Sequence, residues 1–142
     1  MSAEKGLDMV ALTTFPVSYP DTAQVSGRVR IFYDTFVASG ITAGSTIDIA
    51  RLPKSARVWD IHIFHDDLGT TAGTLAVGDA GSANRYLTAF ATGSAGRQTM
   101  TGSNGQSTAV GFQQTAETTV IITTAGATIN GTIRSVVYYT LD

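Results

Sequence analysis

Hydrophobic and polar positions alternate along much of the chain, and the roughly 3.6-residue period of a helix face is hard to find anywhere. The clearest run begins at Arg28. Val29, Ile31, Tyr33, Thr35 and Val37 alternate with Arg30, Phe32, Asp34, Phe36 and Ala38. Side chains two apart on a strand share a face, so one face is wholly apolar or β-branched and the other is mixed. Ser39-Gly40 predicts the end of this strand. Ile47 and Ile49 alternate with Thr46 and Asp48 in a second strand, which Leu52-Pro53 ends. A third runs from Ala56 to about His65, with Trp59, Ile61 and Ile63 on one side and Val58, Asp60, His62 and Phe64 on the other.

Asp66-Asp67-Leu68-Gly69 reads as a turn, followed by a strand through Thr74, Leu75, Ala76 and Val77. Gly78 to Ser82 is another turn, and Tyr86 to Phe90 a fifth strand. Gly93 to Gln106, with Gly93, Gly96, Gly102 and Gly105, predicts a long exposed loop. Thr108 to Gln113 and Thr118 to Thr123 are further strands. Thr124-Ala125-Gly126-Ala127 turns the chain into a last strand, Thr128 to Leu141, with a bulge at Gly131. Asn130-Gly131 is a competing turn, but the first choice keeps Thr132 to Thr140 unbroken.

About eight strands at irregular spacing predict an all-β, antiparallel two-sheet sandwich, with a jelly roll the preferred form. The first residues differ. Pro16, Pro20 and the turn-like Tyr19-Pro20-Asp21 sit in weak patterning, which predicts an extended N-terminal arm over 1–26 ahead of a sandwich over 27–142.

Composition narrows the function classes. At 142 residues the chain is one domain, and 43% hydrophobic content at net charge −2 is a composition that folds. Charged residues are only 14%, against about 25% in an ordinary soluble domain. There is no basic cluster of the kind that tracks a phosphate backbone, so nucleic acid is not an expected partner. No cysteine is present, which removes thiol chemistry and thiolate metal sites. Residues 1–20 carry Glu4, Lys5, Asp8 and Pro16 without an apolar core, and no stretch reaches the roughly 20 apolar residues of a membrane helix. Neither a signal peptide nor a membrane partner is expected.

Candidate chemistry is sparse. His62 and His65 with Asp66 and Asp67 bring two imidazoles and two carboxylates into six residues, but side chains three apart on a strand point to opposite faces. They read as a strand end capped by a turn. Asp66, Asp67 and Asp79 precede glycine-containing turns, where carboxylates serve calcium or local hydrogen bonds alike. No nucleophile elbow or phosphate loop is present, so no enzyme, cofactor or small-molecule substrate is expected. Trp59 sits beside Ile61 and Ile63 as core packing, whereas Tyr138 and Tyr139 take opposite faces and leave one outward for a sugar. Seven arginines against two lysines favour contact surfaces.

One resemblance extends this. Ile49-Ala50-Arg51-Leu52-Pro53-Lys54-Ser55-Ala56-Arg57-Val58, Asp66-Asp67-Leu68-Gly69, Val77-Gly78-Asp79 with Arg85-Tyr86-Leu87, and Gly131-Thr132-Ile133-Arg134 into Val136-Val137-Tyr138-Tyr139-Thr140 carry it. Over residues 45–142 the chain resembles small all-β proteins of tailed-bacteriophage structural modules, the capsid decoration or cement proteins. The resemblance implies a virion protein on the outer surface of the phage head, made in the host cytoplasm. It would bind the major capsid protein and stabilise the shell by bridging its subunits. A homo-oligomer goes with that reading, and the low charge suits a surface that is mostly interface. The arm, with Met9, Leu12, Phe15 and Tyr19, is the expected capsid or subunit contact, because an extended segment can add a strand to a neighbour's sheet. The alternative is a carbohydrate-binding sandwich of a phage fibre or surface appendage.

Overall fold

A computed structural model describes residues 28–69 and 72–141. The strands are β1 (Arg30–Ile41), β2 (Thr46–Leu52), β3 (Ala56–His65), β4 (Thr74–Asp79), β5 (Ser82–Ala91), β6 (Gly96–Thr99), β7 (Phe112–Gln113), β8 (Thr118–Ala125) and β9 (Ile129–Leu141). Among the described residues the helical content is one 3-10 turn at Ser107–Ala109. No described helix is long and apolar enough to cross a membrane.

Every pairing is antiparallel. β1 pairs with β9, β2 with β8, β3 with β6 and β4 with β5. These four pairs make one long ribbon whose two arms run side by side. Rolling the ribbon up brings β9 against β3 and β8 against β4. Two sheets result: β1-β9-β3-β6, with the short β7 also on β3, and β2-β8-β4-β5. This is a jelly roll, the form the strand pattern favours.

The inward positions of the two sheets fill the space between them. Ile61, Ile63, Ile133 and Val137 of the five-stranded sheet meet Leu52, Leu75, Val77, Val120 and Ile122 of the four-stranded one, and all are buried. Alternation of buried and half-exposed residues along β3, β8 and β9 is the expected signature of such packing.

The structure departs from the sequence reading at several points. β3 carries a bulge between Val58 and Asp60, where its register against β9 shifts. The extra residue changes the phase of the alternation, so Val58 and Ile61 face the core while Trp59 is half-buried. Trp59 instead donates its indole N–H to Thr140 Oγ1 at 2.8 Å. The segment Gly93 to Gln106 is not all loop: it contains β6, and Met100 just after it is fully buried. Of Thr108 to Gln113 only the last two residues form a strand. The chain before them makes the 3-10 turn and then passes Gly111 at φ +81, where a Cβ would meet the Trp59 ring at 3.3 Å. β1 does not stop at Ser39-Gly40 but continues through a bulge there. The irregularity expected at Gly131 is shared, with Ser39 and Gly40 of β1 opposite Asn130 of β9. Asn130 Oδ1 accepts the Gly40 N–H at 2.7 Å. The chain turns between β8 and β9 at Gly126, φ +82, in preference to Asn130-Gly131, but the turn is not a hairpin, because it carries the chain from one sheet to the other.

Candidate functional site: the outer face of the five-stranded sheet

β1 has an unusual burial pattern. Eight of its twelve residues are exposed and one, Ala38, is buried. Its mixed face turns inward, where Phe32 and Phe36 pack against the core. Its apolar or β-branched face turns outward, and Val29, Ile31, Tyr33 and Val37 are each 58–68% exposed. Register extends this surface across the sheet. Ile31 lies opposite Tyr138 and Tyr33 opposite Val136 on β9, which in turn lie opposite Asp60 and His62 on β3. Phe64 continues the row at 38% exposed. Five of the six large hydrophobic side chains exposed among the described residues are therefore on this one face. Isolated exposed apolar residues are ordinary, but a contiguous group marks a contact surface.

The edge of the same sheet is open as well. Natural sheets blunt their edges with short strands, bulges, charges or covering loops. β6 has four residues. β2 is bulged between Asp48 and Ala50 and turns Asp48 and Arg51 outward. β5 is covered by the segment 104–106, where Thr88 N–H donates to Asn104 O and Gln106 N–H to Tyr86 O, both at 2.9 Å. Among the described residues no bulge or covering segment protects β1 from Arg30 to Ala38, and its charges there are Arg30 and Asp34. Its Thr35 N–H is bonded by the neighbouring Asp34 carboxylate at 2.8 Å. Along an antiparallel edge such groups alternate in direction, so the N–H groups of Ile31, Tyr33 and Val37 share that outward course.

The polar candidates are spent on structure. His62 pairs with Asp60 at 2.9 Å and lies edge-on to Tyr138, with ring centroids 5.3 Å apart. Asp60 Oδ1 also accepts the N–H groups of Ile61 and Met100, which tie the bulge to the chain after β6. His65 is buried on the other face, stacked on Phe90, with Nδ1 at 2.9 Å from Asp66 O. The two imidazoles are on opposite faces, as strand geometry requires. Asp66 Oδ2 accepts from Thr132 N–H, and Asp67 Oδ1 from Gly69 N–H.

Asp79 is the most heavily bonded carboxylate. Its Oδ1 accepts from Gly81 and Ser82 N–H at 2.9 and 3.1 Å, which closes the β4–β5 turn. Its Oδ2 accepts from Arg85 Nε at 2.7 Å and from the Tyr86 hydroxyl at 3.3 Å. Gln114 Nε2 donates to that hydroxyl at 2.6 Å. Burial, and after it the Asp79 carboxylate, holds the Tyr86 hydroxyl protonated far above the ordinary tyrosine range.

Among the described residues no three His, Cys, Asp or Glu side chains gather as metal ligands. Three surface hollows among the described residues hold no unspent base. Glu117 in the first is paired with Arg51, Asp79 in the second is saturated as above, and the third is lined by Ser82, Asn84, Arg85 and Thr108 among others without a carboxylate or imidazole. Trp59 is committed to Thr140, so Tyr33, Phe64 and Tyr138 are the aromatic side chains on the outward face. Met9, Leu12, Phe15 and Tyr19, and the arm that contains them, lie outside the described residues.

The jelly roll commits Asp60, His62, Asp66, Asp67 and Asp79 to bonds within the fold and turns a cluster of apolar side chains outward, which offers a contact surface. No protein-family profile and no curated protein sequence matches the chain. Solved structures do. A chain in the capsid asymmetric unit of cyanophage Pam1 is 30% identical, with a TM-score of 0.66, over 83% of this chain and 88% of that one. A chain from the capsid of Ralstonia phage GP4 (23% identity, TM-score 0.61, 88% and 90% covered) has the same fold. So does one from the acid-stable capsid of Helicobacter pylori bacteriophage KHP30 (14% identity, TM-score 0.58, 80% and 87% covered). The chain belongs to the family of phage capsid-related proteins that the Pam1 chain represents, and its role is that of a virion structural protein.

Proposed function

We propose that this protein is a capsid decoration protein, which adds to the outside of an assembled phage head and stabilises it by bridging subunits of the major capsid protein. The observation that carries this reading is the outward apolar face of β1, β9 and β3, which includes Ile31, Tyr33, Val136 and Phe64. A protein that binds the assembled shell and not its separated subunits stabilises the shell by mass action, without catalysis or a cofactor. The protein acts as a homo-oligomer, is made in the host cytoplasm, and needs no nucleic acid, membrane or small-molecule substrate.

The arm over 1–26 supplies a second contact, with Met9, Leu12, Phe15 and Tyr19 against the shell or a neighbouring subunit. Main-chain pairing of an extended segment supplies affinity without charge, in keeping with 14% charged residues.

The test is reconstitution on purified heads that lack the protein. Added protein is expected to bind at a fixed stoichiometry and raise the temperature at which the heads open. Deletion of residues 1–19 is expected to lower occupancy, and undiminished occupancy would remove the arm from the account. Failure of the intact protein to bind heads would overturn the decoration role itself.

A further inference from the structure

From the open edge of β1 we infer that two copies of this chain join along that strand, β1 against β1, across a twofold axis. The pairing deepens the homo-oligomeric part of the reading above by naming the interface. An antiparallel pair of identical strands related by a twofold has one residue opposite itself, and the sum of paired residue numbers is then constant. Centring on Phe32 makes the three central pairs favourable. Phe32 then meets its own copy, Arg30 lies opposite the other copy's Asp34 twice over, and Ile31 lies opposite Tyr33 twice over. Opposed charges and aromatic–aliphatic pairs on neighbouring strands are the stabilising cross-strand combinations.

Registers centred further along β1 lose this. Centring on Tyr33 sets Arg30 against Phe36 and Asp34 against Phe32, and centring on Asp34 opposes two like charges. The twofold that pairs the strands also keeps each outward side chain on the outward side. Two five-stranded sheets become one continuous sheet, and the two apolar faces merge into a single surface. Phe32, half-buried in one copy, becomes covered by its symmetry mate. Asp34, which bonds its own Thr35 N–H in the isolated chain, exchanges that contact for the guanidinium opposite.

Charge exchange tests the register with the full chain in solution. Arg30 and Asp34 are exposed, so neither substitution enters the core. Sedimentation equilibrium of the wild-type protein is expected to give a monomer–dimer equilibrium. Arg30→Asp places two like-charge pairs in the interface and is expected to weaken dimerisation by about tenfold or more. The double variant Arg30→Asp, Asp34→Arg restores opposite charges with their positions swapped, and is expected to recover the wild-type dimer. A wild-type chain that stays monomeric, or forms a trimer, overturns the proposal. So does an Arg30→Asp dimer of unchanged strength, or a double variant that fails to recover. None of these measurements involves heads. A wild-type dimer that ignores heads therefore sinks the decoration role and leaves the β1 pairing intact.

Discussion

The two outward faces of this jelly roll are made by the same alternation and carry opposite chemistry. On the four-stranded sheet the outward row reads Thr46, Asp48, Arg51, Thr119, Ile121 and Thr123, and Arg51 is paired with Glu117. Its far edge, β5, lies under the segment 104–106, and the β4–β5 turn is locked by Asp79. On the five-stranded sheet the outward face sets Ile31, Tyr33, Val37, Val136, Tyr138 and Phe64 around Thr35, Asp60, His62 and Arg134, and among the described residues nothing covers the edge strand from Arg30 to Ala38. The first face is mainly polar, with Arg51 closed on Glu117; the second exposes large apolar side chains. In the decoration reading proposed above, the second is the assembly face and the β4–β5 corner serves stability.

Variants should separate the two. Asp79→Ala removes the acceptor for two turn N–H groups, Arg85 and Tyr86, at a residue 4% exposed. It is expected to cost about 2–4 kcal/mol of folding stability by urea unfolding, with no specific loss of head binding by the fraction that folds. The paired change Ile31→Lys, Tyr33→Lys should do the reverse. Binding to heads is expected to fall by about 2 kcal/mol, roughly thirtyfold, while the unfolding midpoint of the isolated chain stays near wild type.

Tyr86→Phe tests the same β4–β5 corner. The change strands the Gln114 amide and is expected to cost about 1–2 kcal/mol at neutral pH. It also alters the alkaline limb. Above pH of about 10 the unfolded chain releases the tyrosine proton while folded Tyr86 retains it, so the unfolded state binds fewer protons and stability falls as pH rises. The variant should lack that component of the decline. Thr119→Lys, on the polar outward face, is expected to change stability by about 0.5 kcal/mol or less and head binding not at all.

The sandwich and its jelly-roll form were legible because the inward residues of most strands keep a strict period of two and are flanked by Gly, Pro, Asp and Asn turns. The alternation of β1 was equally plain, but alternation alone does not say which face meets the core. Phe32 and Phe36 settled that by filling volume under the edge of the sheet, which left the more uniformly apolar face outside. The bulge at Trp59 and Asp60 was illegible for a related reason. Nothing in Val58-Trp59-Asp60-Ile61 marks where an extra residue enters, yet it turns the tryptophan away from Ile61. β6 escaped notice because Gly96–Thr99 is short and polar, and its pairing with His62–His65 depends on chain more than thirty residues distant. The candidate site follows the same pattern: its residues were visible as a stripe, and its outward direction came only with the fold.

Hydroxyl-radical footprinting of the protein free and bound to heads tests most directly whether the β1–β9–β3 face is the one buried in the virion. Tyr33, Phe64 and Tyr138 are expected to lose most of their labelling on bound protein, while Ile121, on the outward face of the four-stranded sheet, keeps its own. Equal labelling of Tyr33, Phe64 and Tyr138 in the two states would contradict the account.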